Sequence, residues 1–268
     1  MSLAPRHAGL LLVLASVACT TVQTAPSTAS AGPDSTGSTG EVDGGVATTD
    51  DAAAAPRPDF CVGAKRGVLQ DLTSTPKGPY FVHHPDESVA SPDTIVFVPG
   101  GPGSRDTAEA TFELWLSRGS TLGNFRVIVP YSADGDLTDK GSRIVPVLDE
   151  VLACYGGSAA RVHLAGTSNG GRAAFAEMLK SHDRFITLLG APGLFQATDL
   201  QLSNALEGKR VFNGAGALDK EWGPQVKATH ERLVALGLMS VHVELPGEGH
   251  ILSPTADQEP FFDFWTHP

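Results

Sequence analysis

The residues Gly166-Thr167-Ser168-Asn169-Gly170 form a G-x-S-x-G pentapeptide directly after the apolar run Arg161 to Ala165 and just before a helical pattern at Ala173. On a tight strand-to-helix bend a serine is lifted out of the sheet, and glycines flank it because side chains there would collide with the turn. The following helix N-terminus favours developing negative charge. The alternative is a glycine-rich turn with an incidental serine; the flanking elements give the pattern its weight. A serine nucleophile needs a base, and the base needs an orienter.

Nine histidines are available as base. His7 lies in the leader and His267 in the terminal tail. His83, His84, His163 and His242 fall within strand patterns, and His182 and His230 lie at the end or on the polar face of helices. These read as structural or surface residues. His250 is different. It ends the loop Pro246-Gly247-Glu248-Gly249-His250 after the apolar run Val241 to Leu245, at the carboxyl edge where an open α/β sheet gathers its site. For the acid, Asp219 follows the run Lys209 to Phe212 across Asn213-Gly214-Ala215-Gly216. Its bland reading is helix capping, and Asp199 and Glu221 are its rivals. An oxyanion needs donors as well: the backbone N–H of Asn169 and one from Pro99-Gly100-Gly101-Pro102-Gly103, where Gly101 is best placed and Pro102 has no N–H.

These residues must be positioned by the elements around them. Tyr80–His84, Thr94–Val98, Phe125–Val129, Arg161–Ala165, Phe185–Leu189, Lys209–Phe212 and Val241–Leu245 read as strands, their continuous apolar character suiting a parallel sheet covered on both faces. Helical patterns lie at Thr107–Leu116, over Ile144, Val147, Leu148, Val151 and Leu152 on one face, and at Ala173–Leu179, Gln225–Leu236 and Gln258–Trp265. This alternation predicts an α/β fold with right-handed crossovers.

The set of motifs, in the order Ser168, Asp219, His250, resembles the α/β-hydrolase superfamily over Tyr80 to His250. The resemblance implies a mostly parallel sheet of seven or eight strands flanked by helices, a Ser168-Asp219-His250 triad, and Gly101 and Asn169 as oxyanion hole, with no cofactor or metal. The Ser168-Asn169-Gly170-Gly171 elbow is similar to that of secreted esterases of the polyester-depolymerase and feruloyl-esterase type. The Gly100-Gly101-Pro102-Gly103 loop resembles that of proline iminopeptidases, although Pro99 stands where they have histidine. They carry a large helical cap, and here only about 20 residues separate Leu189 from Lys209, which predicts little or no cap. The expected activity is hydrolysis of carboxylic esters on small molecules or polymers. A peptidase or amidase with the same residues, and an inactive hydrolase fold serving as a binding module, are the alternatives.

The chain has 268 residues and a formal net charge of −11. The acidic balance argues against a nucleic-acid partner. No apolar run reaches the ~18 residues of a membrane span. Residues 1–18 read as a signal peptide whose apolar stretch runs from Ala8 to Ala18. Ser16-Val17-Ala18-Cys19 resembles a bacterial lipoprotein cleavage box, with Ser16 where leucine is usual, so a lipid on Cys19 is the implied membrane link; a plain secretory signal cleaved after Ala18 is the alternative. Residues 19–58, rich in Thr, Ala, Ser, Gly and Asp, have too few large apolar side chains to offset the entropy of ordering and read as a tether. Residues 59–268 form the expected catalytic domain, outside the cytoplasm. Export favours a disulfide between Cys61 and Cys154, with two buried free thiols as the other reading.

Overall fold

The structure is a computed structural model and describes residues 57–89, 91–133 and 143–267. Eight strands form one sheet: β1 (Leu69–Leu72), β2 (Tyr80–His83), β3 (Asp93–Val98), β4 (Phe125–Pro130), β5 (Val162–Gly166), β6 (Thr187–Gly190), β7 (Arg210–Gly216) and β8 (Met239–Leu245). Among the described residues six α-helices accompany them: α1 (Arg105–Leu114), α2 (Ile144–Tyr155), α3 (Asn169–Lys180), α4 (Asp199–Leu206), α5 (Gly223–Ala235) and α6 (Glu259–Thr266). The strand order is β1-β2-β4-β3-β5-β6-β7-β8. β1 and β2 are antiparallel to their neighbours, and all pairs from β4 to β8 are parallel. All the parallel strands therefore point their carboxyl ends to one edge.

Period-two alternation assigns each strand residue to one of two cores. In β3, Val96 and Val98 face a layer that includes Val147, Leu148 and Val151 of α2, Phe175 and Met178 of α3 and Leu202 and Leu206 of α4. Ile95 and Phe97 face the opposite layer, built on Phe112 of α1 and Phe261, Phe262 and Trp265 of α6. β3 is apolar along both faces because both are covered.

The elements extend the sequence reading in four places. β1 (Leu-Gln-Asp-Leu) is too polar to be read alone; it exists by pairing with β2, and its burial alternates between half-buried and buried. α4 lies where the sequence patterns predict no helix, although its signal is local: Thr198 and Gln201 form a reciprocal capping box. α3 starts at Asn169, not Ala173, because Gly170 and Gly171 lower helix propensity but not helix formation where packing demands it. β7 runs past Phe212 to Gly216, where a Cβ would come within 2.2 Å of Gly249 O. The segment between β6 and β7 holds α4, packed with α3 in the core, and no cap lies there.

Cys61 and Cys154 are joined by a disulfide that ties the start of the domain to the last turn of α2. Beside it the buried Arg126 of β4 donates to the carbonyls of Tyr155 and Gly156, occupying acceptors that the helix end leaves without intrahelical donors. Cys19 and the segment to residue 56 lie outside the described residues.

Candidate active site

Ser168 sits between β5 and α3 with φ 55° and ψ −122°, the one positive-φ non-glycine residue among those described. Such a conformation costs on the order of 1–3 kcal/mol and persists only where the surroundings over-determine it. Here they do. Thr167 N–H donates to Val98 O, Ser168 N–H donates to Pro192 O at 2.8 Å, and Thr167 Oγ1 donates to Ala191 O at 2.7 Å. The elbow is thus pinned between the ends of β3 and β6. A Cβ on Gly170 would lie 2.3 Å from the carbonyl oxygens of Val98 and Pro99, so no side chain fits where α3 passes β3.

The histidine and the acid arrive from the next two strand ends. Asp219 follows β7 and His250 follows β8. The closeness of Gly216 to Glu248 and Gly249 lets the two loops run together, and Leu218 N–H donates to Glu248 O at 2.8 Å. The Glu248 carboxylate in turn accepts from Ser253 Oγ at 2.8 Å, closing the histidine loop. Ser168 Oγ lies 2.8 Å from His250 Nε2, and His250 Nδ1 lies 2.8 Å from Asp219 Oδ2.

Asp219 also uses its second oxygen. Oδ1 accepts the backbone N–H of Trp222 at 2.9 Å and of Glu221 at 3.2 Å. Capping and orienting therefore coexist in one carboxylate. Burial works against its charge, but the amide of Trp222, the bond to His250 and the amide of Glu221 outweigh it and hold the carboxyl below its ordinary range. Of the rival acids, Asp199 pairs with Arg232 at 2.6 Å, and Glu221 contributes its backbone amide to Asp219 while Asp219, not Glu221, bonds His250 Nδ1.

The two candidate oxyanion donors are neighbours. Asn169 opens α3, where the first N–H groups have no intrahelical acceptor. Gly101 follows β3 with φ 57°, and its carbonyl accepts Asn169 Nδ2 at 3.3 Å. Its loop is anchored by Gly103 N–H to Gly100 O and by Ser132 N–H to Gly103 O.

Among the described residues, other histidines make their contacts elsewhere. His83 and His84 are buried, His163 Nδ1 is bonded to Thr187 Oγ1, and His230 stacks on His242. Two residues of the site escaped the sequence reading. Trp222 lies with its ring 5.0 Å from that of His250, and the guanidinium of Arg172 lies 4.4 Å over the Trp222 ring. Their only sequence signals are the three-residue offset of Trp222 from Asp219 and the one-turn offset of Arg172 from Ser168. A cleft of about 460 Å³ opens beside Asn169 and Arg172.

No protein-family model matches the sequence, and no curated protein matches it. Solved structures do. A fluorophosphonate-binding serine hydrolase of Staphylococcus aureus, FphF, superposes with a TM-score of 0.58 at 14% identity, covering 75% of this chain and 96% of that one. A ferulic acid esterase gives 0.57 at 12% identity over 75% and 97% of the two chains. An acetyl xylan esterase from Aspergillus awamori gives 0.52 at 13% identity over 75% and 100%. This chain has the α/β-hydrolase fold. In an α/β-hydrolase the expected chain order is serine, acid, histidine, which is the order of Ser168, Asp219 and His250 along this sheet edge.

Proposed function

We propose that the chain is an extracytoplasmic serine hydrolase that cleaves carboxylic esters through an acyl-enzyme. The observation that carries the reading is the unbroken run of 2.8 Å contacts from Ser168 Oγ through His250 to Asp219. His250 Nε2 takes the proton as Oγ attacks the ester carbonyl. The developing oxyanion is met by the amides of Gly101 and Asn169. His250 then returns the proton to the leaving alcohol, and water, activated by the same imidazole, releases the acid and regenerates Ser168. Asp219 holds the Nδ1–H tautomer and stabilises the imidazolium. The esterases with which the fold superposes support an ester substrate, and the edge free of a cap among the described residues supports an open site.

A disulfide between Cys61 and Cys154 suits an oxidising compartment. It supports the reading of residues 1–18 as an export signal and of 19–58 as a tether, with Cys19 as lipid anchor. Two experiments test the proposal. A fluorophosphonate probe labels wild type and spares Ser168→Ala, and the wild type hydrolyses p-nitrophenyl esters in preference to aminoacyl amides. An unlabelled wild type would return the chain to the class of binding modules. For the anchor, labelled palmitate enters wild type and not Cys19→Ala; equal labelling of both rejects it.

A further inference from the structure

The cleft beside the elbow has one charge to offer. Ala173, Ala176, Leu179 and Leu194 give it an apolar wall, Asn169 and Gln196 are neutral, and Arg172 is the only ionisable group in its lining among the described residues. Arg172 also borders a second cleft of about 330 Å³, where the other cation, Arg232, is neutralised by Asp199. No carboxylate pairs with Arg172 among the described residues; its guanidinium rests over the Trp222 ring. An aromatic face attracts the charge but does not use up the planar fork of five donors, which is matched to a carboxylate. The position is also fixed. The Arg172 backbone sits one turn into α3, with its N–H bonded to Ser168 O at 3.0 Å, and the guanidinium rests on a ring that itself packs against His250.

We propose that this site selects esters that carry a carboxylate on the same molecule, with Arg172, one turn along α3 from Ser168, binding that carboxylate. The inference rests on the hydrolase reading and names its substrate class. The overall charge of −11 repels anions at long range, so an unpaired arginine beside the elbow gives a local reversal of sign that discriminates such substrates from neutral ones.

The test compares matched substrates. One pair differs in the acyl part, mono-p-nitrophenyl adipate against p-nitrophenyl hexanoate. The other differs in the alcohol, 4-acetoxybenzoate against 4-acetoxybenzamide. In at least one pair wild type favours the carboxylate member in kcat/KM. Arg172→Gln lowers that ratio about tenfold, the scale of a lost charge-assisted hydrogen bond. Arg172→Lys recovers part of it, and added salt erodes it. A role confined to supporting Trp222 would depress both members of a pair and leave the ratio unmoved. Equal rates within both pairs, or a ratio unchanged in Arg172→Gln, overturns the substrate class while ester hydrolysis and probe labelling of Ser168 keep the hydrolase reading intact. Loss of labelling and of all ester turnover in the wild type overturns both.

Discussion

The ring of Trp222 packs 5.0 Å from the ring of His250 while its backbone N–H donates to Asp219 Oδ1 at 2.9 Å. One residue thereby touches both partners of the Nδ1–Oδ2 hydrogen bond, fixing the imidazole on one side and the carboxylate on the other. For the base role proposed for His250 such fixing matters, because small displacements cost large factors in rate.

Trp222→Ala keeps the backbone amide to Asp219 but removes the packing surface. We expect kcat to fall about tenfold to a hundredfold with a smaller change in KM, and Trp222→Phe to retain most of the activity. Ester kinetics on the three proteins check this. A loss confined to KM would assign Trp222 to substrate contact instead.

Asp219→Asn preserves the oxygen that accepts from Trp222 and Glu221, so the turn into α5 keeps its hydrogen bonds. What changes is the partner of His250 Nδ1: an amide cannot stabilise an imidazolium and favours the wrong tautomer. The expected fall in kcat is on the order of 10⁴, with an unfolding midpoint close to wild type. Circular dichroism melts beside burst kinetics separate the catalytic loss from a folding defect.

His84 makes stability sensitive to acid. Burial, reinforced by Arg126, Arg66, His83 and Arg57, pushes its pKa down to about 4 from an ordinary 6.5. The unfolded chain therefore takes up a proton near pH 6.5 while the folded one refuses it until about pH 4. The contribution is fully present above the unfolded value and is lost as pH falls toward the folded one, by on the order of 3 kcal/mol. Urea unfolding at pH 7 and pH 4.5 should show this decline in wild type and a shallower one in His84→Gln. Parallel declines in the two proteins would remove His84 as the cause.

The disulfide closes a loop spanning 93 residues. Confining a loop of that length in the unfolded chain stabilises the fold by about 4.6 kcal/mol on the chain-entropy account. The double variant Cys61→Ser/Cys154→Ser should lose that amount in denaturant titrations, and reductant should lower the midpoint of wild type but not of the variant.

Much of the fold is legible from short-range pattern. β3, β4 and β5 are apolar on both faces because both are buried, so their runs stand out in the sequence. β1 does not stand out: its Gln70 and Asp71 are polar, and only pairing with β2 makes it a strand. α4 was legible in principle through Thr198 and Gln201. The elbow was readable because Gly166, Ser168 and Gly170 act on one another within a single turn. Asp219 could be separated from Asp199 and Glu221 only by where the chain returns, since its contact with His250 spans 31 residues and that of His250 with Ser168 spans 82.

The sequence by itself determined the chemical candidates, the strand–helix alternation and the edge of the sheet at which each candidate ends, because propensity, periodicity and turn stereochemistry act between near neighbours. Only the tertiary structure decided which acid faces His250, that Trp222 braces both, and that Arg172 overlooks the cleft without an acidic partner among the described residues. Those relations arise where loops from different strands meet, and packing across the sheet edge sets them rather than any local preference of the chain.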